Sequence, residues 1–234
     1  MALSRSWPSI TDAHLLNQAL EDQTNTVLLV LTHVFNKGGL LSETNKEHHR
    51  KIALSKRNEI NANLPHDKYY STIRHFFHEW ISVRNAVSVI GLYYPVKSEM
   101  NTLSLIDYLY TQGKITCLPM VISKNEPLIF KPWSSGNNLV VGHYGIPVPD
   151  NDQIVTPDLI ICPLLAYDSK GMRLGYGGGF YDRTIRYLRE NKKTRYIGLA
   201  FSEQKSYHDL PSEVHDVPLD AVLTETGMDY FQEF

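Results

Sequence analysis

Short apolar runs and amphipathic helical stretches take turns along most of this chain, and that alternation limits its fold more than any other feature. "AVSVIGLYYP", "KITCLPMVI", "DLIICPLLAYD", "TRYIGLAF" and "DAVLTE" are near-continuous apolar runs closed by turn residues, as expected of strands buried on both faces. Between them, "YYSTIRHFFHEWISV" sets Tyr70, Ile73, Phe76, Phe77, Trp80 and Ile81 at helical spacing, which predicts a core helix. "NTLSLIDYLYTQG" reads as a helix with an Asn cap and a terminal Gly113, and "FYDRTIRYLRENKK" as one whose inner face carries Ile185 and Leu188. Strands covered on both faces need helices on both sides. The predicted architecture is therefore α/β, a three-layer sandwich with a mostly parallel central sheet. "PLIFKPW" and "NLVVGHYGIPVP" read as a smaller β excursion, and "DAVLTE" as the last strand. Such sheets bind ligands at the carboxyl ends of their strands.

The rest of the composition narrows the partners. A formal charge of −2 with 21% charged residues over 234 residues leaves no basic field to recommend nucleic acid. The two cysteines, Cys117 and Cys162, lie within apolar runs, which fits a reducing compartment better than a disulfide framework. No apolar run approaches the roughly 20 residues of a membrane helix, and the first residues lack a signal-peptide pattern. A cytoplasmic protein without a membrane partner, and a monomer, is expected. Residues 1–44 carry one apolar patch, "TVLLVLTHVF", and read as an extension of unknown role before a domain at 45–234. From Ser42, "SETNKEHHRKIALSKRNEINANLP" is polar, rich in helix formers and stopped at Pro65.

One stretch breaks this pattern. "GMRLGYGGGFYDR", residues 171–183, holds five glycines between the strand "DLIICPLLAYD" and a helix. Backbone amides stripped of side chains, together with the positive end of a helix, make an anion site, and Arg173 and Arg183 bracket it with charge. The spacing excludes two common phosphate loops: a dinucleotide fingerprint fails at Phe180, and no Gly-Lys-Ser/Thr follows the glycines. Asp182 stands in the first helical turn, where a divalent cation would reconcile its charge with phosphate; complementing the helix N-terminus is the plainer alternative.

"LLAYDSKGMRLGYGGGFYDRTI", with "YYPVKSEMNT", "GKITCLPMV" and "YGIPVP" upstream and "HDVPLDAVLTE" downstream, resembles the 5-formyltetrahydrofolate cyclo-ligases, also called methenyltetrahydrofolate synthetases, from about Lys46 to Glu225. The resemblance implies an ATP- and magnesium-dependent enzyme that converts 5-formyltetrahydrofolate to 5,10-methenyltetrahydrofolate and releases ADP and phosphate. In that chemistry the formyl oxygen attacks the γ-phosphoryl group, N10 then attacks the formyl carbon, and phosphate leaves. Positioning and charge neutralisation matter more here than a protein nucleophile.

The resemblance also implies a site. Arg173, Leu174, Gly175, Tyr176, Gly177, Gly178, Gly179, Phe180 and Tyr181 would hold the nucleotide, with Arg173 and Tyr176 in catalytic roles. Lys46 and Arg50, one helical turn apart, would add phosphate contacts, with Arg57 two turns further along the stripe. Asp182 and Asp220 would hold Mg2+. Tyr94 and Glu99 of "YYPVKSE" and Tyr144 of "HYGIPVP" would meet the folate, the glutamate by accepting paired N–H donors of the pterin; Trp133 is a weaker stacking candidate. Some relatives carry Lys or Arg within the loop where this chain has Tyr176 and Gly178, so other cations or the metal would supply that charge. His49 stands where the opening helix commonly has leucine. Two other readings share the scaffold: a folate or nucleotide binder without turnover, and a sugar-phosphate isomerase, which would need no ATP.

Overall fold

The computed structural model describes residues 38–84 and 86–232; residues 1–37 of the expected extension lie outside them. The chain divides into two units, Met1–Asn45 and Lys46–Phe234, and the sheet and the site belong to the second. Its elements are α1 (Gly38–Asn63), α2 (His66–Ser82), β1 (Val89–Gly91), α3 (Leu103–Thr111), β2 (Ile115–Met120), β3 (Ile129–Pro132), β4 (Leu139–Val141), β5 (Pro147–Pro149), β6 (Leu159–Cys162), β7 (Ala166–Tyr167), β8 (Arg173–Leu174), α4 (Phe180–Asn191), β9 (Arg195–Leu199), β10 (Ala221–Thr224) and β11 (Gly227–Tyr230).

Seven strands form the central sheet in the order β11-β10-β9-β6-β1-β2-β3. The five inner strands are parallel, as their pairings Ala221 with Ile197, Leu159 with Arg195, Ile90 with Leu159 and Val89 with Ile115 show. Antiparallel β11 and β3 close the edges. Each inner strand serves two cores because side chains alternate across the pleat. Leu159, Ile161, Ile197, Leu199, Ala221 and Leu223 pack on one face against Phe77 and Trp80 of α2 and Ile106 and Leu109 of α3. Ile160, Cys162, Tyr196 and Val222 face the other way, against Ile185 and Leu188 of α4. The three expected layers result.

Local signals operate mostly where the sequence has them. α2 buries Ile73, Phe77, Trp80 and Ile81. Asn101 acts one residue earlier than a formal cap: its Oδ1 accepts from the Leu103 amide at 2.8 Å, satisfying a donor that α3 cannot pair internally. Two expectations need amendment. "DAVLTE" is not the last strand, since the chain turns at Gly227 into β11, and the run after β6 is broken by a small hairpin, β7 with β8. Trp133 is a core residue, 7% exposed, whose indole N–H donates to the Asn137 carbonyl, so it has no face left for a folate ring.

Candidate active site

The connections that follow β1 and β6 carry the residues of interest, and these strands are neighbours. From β1 the chain winds toward β2 and β3; from β6 it winds toward β9 and β10. The reversal opens a crevice outside the carboxyl ends of this strand pair, the usual ligand position in a doubly wound sheet. The turn containing Glu99 leaves β1. The β7–β8 hairpin and the glycine loop leave β6.

Gly171 differs in purpose from the other loop glycines. A β-carbon there would come within 2.7 Å of the Phe231 ring and 2.9 Å of the Leu219 carbonyl, so it serves packing. Gly177 and Gly179, like Gly171 at φ +77°, adopt positive φ, +96° and +65°, values that other residues reach only at a cost of about 1–2 kcal/mol. This bend keeps the amides of residues 175–179 out of any backbone hydrogen bond among the described residues. They lead directly into α4, whose first amides add to the same positive end. Leu174 anchors the loop from below at 2% exposure, and Phe180 and Tyr181 pack on the α4 core. Arg183 clasps it from the side: one guanidinium nitrogen donates to the Gly178 and Lys124 carbonyls, both at 2.8 Å.

Of the expected cations, Arg50, Arg57 and Arg183 reach the loop, while Lys46 and Arg173 have other partners. Arg50 Nε donates to the Gly175 carbonyl at 3.2 Å, and its guanidinium lies against Gly177. Lys46 pairs with acids: its ammonium is buried between Asp216, at 2.5 Å, and Glu213, at 3.2 Å. Arg173 likewise has partners within the protein. Its side chain is 5% exposed and donates to the Asp182 carboxylate at 2.8 Å and the Val217 carbonyl at 2.7 Å. Arg57 does not continue an exposed stripe: it is 1% exposed and turned inward.

The two acids named as metal ligands also differ. Asp182 Oδ1 accepts from Arg173 and from the Val217 amide at 3.1 Å, while Oδ2 accepts no hydrogen bond among the described residues. Its side chain is 21% exposed, so one carboxylate oxygen beside the loop can coordinate a hard cation. Asp220 is 2% exposed and both its oxygens are taken, one by Arg189 at 3.1 Å and the other by the Tyr196 amide at 2.7 Å. That amide belongs to the start of β9, so Asp220 stands toward the amino ends of the strands. Of the Asp182–Asp220 pair, Asp182 is thus the one with an open oxygen. The group of three metal-capable side chains among the described residues, Glu213, His215 and Asp216, includes neither acid and already holds Lys46.

On the Glu99 side, Glu99 Oε2 accepts from the Val96 amide at 3.0 Å, and burial raises the carboxyl above its ordinary range against the opposing Arg57 and Lys97 charges. Lys97 takes φ +54° in the same turn and lays its ammonium 5.0 Å from the centre of the Tyr176 ring. Lys97 has no sequence signal for this role, since a lysine in the left-handed region is unexpected. Burial, followed by the Glu99 charge, also pushes the Tyr176 hydroxyl up, with Arg57 opposing, so it remains protonated. Tyr94 lies half-buried on the same connection, packed on the α2 core. On the opposite side of the loop, Tyr144 is 70% exposed at φ +59°, its ring edge-on to Phe180 at 5.9 Å. Tyr144 is thus no core residue.

With this geometry in place, a model of the 5-formyltetrahydrofolate cyclo-ligase family matches residues 42–225. The curated 5-formyltetrahydrofolate cyclo-ligase of Haemophilus influenzae is 38% identical over 141 residues, 57% of this chain and 74% of its own. That of Escherichia coli K12 is 36% identical over 58% of this chain and 76% of its own. Among solved structures, the Aquifex aeolicus 5,10-methenyltetrahydrofolate synthetase superposes with a TM-score of 0.64 at 27% identity, covering 81% of this chain and 94% of that one. The Mycoplasma pneumoniae synthetase, at 24% identity and a TM-score of 0.62 over 77% and 99% of the two chains, shares the fold.

Proposed function

The chain belongs to the 5-formyltetrahydrofolate cyclo-ligase family, and from that premise we propose that it converts 5-formyltetrahydrofolate to 5,10-methenyltetrahydrofolate with ATP and Mg2+, releasing ADP and phosphate, in the cytoplasm and as a monomer without nucleic-acid or membrane partners. Among the described residues no helix is long and apolar enough to cross a membrane. The observation that carries the reading is the run of uncommitted amides at 175–179, set at the head of α4 beside the Glu99 turn.

Each residue then has a physical task. The loop amides and Arg50 receive phosphate oxygens, with Leu174, Phe180 and Tyr181 fixing the loop on the core. Asp182 Oδ2 offers one carboxylate oxygen to magnesium, whose remaining positions go to phosphate and water, in keeping with its reluctance to lose hydration. Arg173 holds Asp182 in place, and Tyr176 presents a protonated hydroxyl at the loop. Glu99 accepts N–H donors of the pterin, with Tyr94 beside it, and the exposed Tyr144 ring supplies a stacking face. When bound, ATP and the metal supply the transferable phosphoryl group and the neutralisation of its charge. Residues 45–234 form the catalytic domain in this reading, and 1–44 an extension outside it.

The test follows methenyl product by absorbance from 5-formyltetrahydrofolate, omitting ATP and magnesium in turn. Product is expected only with both present. Product formed without ATP, or none from well-folded protein, rejects the reading; the second result would favour a binder without turnover.

A further inference from the structure

Arg57 is a cation enclosed at 1% exposure, and it stands in no ion pair among the described residues. Burying a guanidinium without a carboxylate is costly unless its donors are satisfied by well-placed acceptors. Three acceptors meet it, each from a different part of the site. Nε donates to Ser98 Oγ at 3.2 Å, Nη1 to the Leu164 carbonyl at 2.9 Å, and Nη2 to the Tyr176 hydroxyl. Ser98 is the residue before Glu99, and its hydroxyl donates in turn to Asn58 Oδ1 at 2.5 Å. Leu164 lies just past the carboxyl end of β6, and Tyr176 is within the glycine loop. One side chain on α1 thus ties the folate-side turn, the end of the central strand and the phosphate-side loop together.

Resting on the function proposed above, we propose that Arg57 is a positioning residue that fixes the two half-sites separately: the glycine loop through the Tyr176 hydroxyl, and the Glu99 turn through Ser98. The fixing adds to the contacts of Arg50 and Arg183 with the loop and of Glu99 with the Val96 amide in the turn. The loop has amides without backbone partners, and the turn carries Lys97 at φ +54°, a strained conformation that persists only where its surroundings enforce it. Segments held in their bound shape before a ligand arrives do not have to be ordered by it, so affinity rises. The enclosed charge adds a second effect, since an anion entering the cradle adds to the countercharge that Glu99 supplies without a direct ion pair. Tyr176 passes that contact on: its oxygen accepts from Arg57 while its own proton stays free to donate.

The two arms can be cut one at a time without removing the buried cation. Tyr176→Phe deletes the hydroxyl and keeps the ring under Lys97; Ser98→Ala deletes the link to the turn. Calorimetric titration of each protein with a non-hydrolysable ATP analogue plus magnesium, and separately with 5-formyltetrahydrofolate, reads the two half-sites without turnover. Loss of one such hydrogen bond corresponds to about a three- to tenfold change in Kd. Tyr176→Phe is expected to weaken the nucleotide by that factor and leave folate within about twofold, and Ser98→Ala to do the reverse. Arg57→Met should weaken both; should it fail to fold, the two softer variants still decide the matter. Equal effects of each softer variant on both ligands, or no effect, overturn the proposal while leaving the function intact if wild type binds both. Wild type that binds neither ligand overturns the function and this inference together.

Discussion

Glu99 carries a carboxylate into surroundings that disfavour its charge. Burial raises its pKa despite the Val96 amide and the Arg57 and Lys97 charges, so the folded chain holds this proton more tightly than the unfolded chain does. Stability from that linkage is complete below the unfolded glutamate value and is lost as pH rises through the raised folded value. Once ionised, the side chain therefore weakens the fold that positions it. Glu99→Gln keeps an oxygen for the Val96 amide and removes the charge. Its urea midpoint is expected to exceed that of wild type once pH is above the raised folded value, with the difference closing as pH falls through that value and gone below about 4.3, the ordinary glutamate value, while folate affinity drops. A difference that is constant with pH, or grows on acidification, would contradict this account. The motif "YYPVKSE" singled out Glu99, but not its burial. That depends on Arg57 arriving from α1 and on the turn at Lys97, neither of which leaves a trace in local spacing.

At the scale of elements, the head of α4 and the start of β10 present superficially equivalent acids with different surroundings. Asp182 is braced by Arg173 and the Val217 amide but keeps one oxygen open; Asp220 joins Arg189 on α4 to the Tyr196 amide on β9. Asp182→Asn should cost about 1–3 kcal/mol, because the buried Arg173 loses its countercharge, and should also raise the magnesium needed for half-maximal turnover by more than about tenfold. Asp220→Asn should lower stability by about 1–2 kcal/mol and leave the magnesium requirement within about twofold of wild type. Parallel magnesium titrations of the two variants check this; equal displacement of both curves would restore Asp220 as a ligand. The sequence separated these acids poorly because a carboxylate in a first helical turn and one opening a strand look alike until their hydrogen bonds are known. The same blindness hid β7, β8 and β11: two-residue strands have no period, and an edge strand that is half exposed lacks the apolar run that marked the inner five.

Across the whole molecule, layers and site both follow from one pattern, continuous apolar strands that must be covered on two faces and that leave their carboxyl ends open at the reversal between β1 and β6. The layers were readable from alternation alone, since period and burial are properties of the chain, whereas the place of the reversal came with the strand order. The pairing of side chains across 100 residues or more, such as Lys46 with Asp216 and Arg57 with Tyr176, was not, because it is decided by how helices dock. These pairs bear on the boundary of the catalytic unit. Among the described residues, the first bonded to the loop is Arg50, the unit that holds the sheet begins at Lys46, and the family match starts at residue 42. Among the described residues, the core clusters draw on those from Ala53 onward. A protein lacking residues 1–41 should therefore keep its turnover, with kcat/KM within about threefold of the full chain, under about 0.7 kcal/mol of transition-state stabilisation, and with an unchanged magnesium dependence. If the shortened protein folds but loses more than that, the opening residues contribute to catalysis, and the domain must be drawn from the start of the chain.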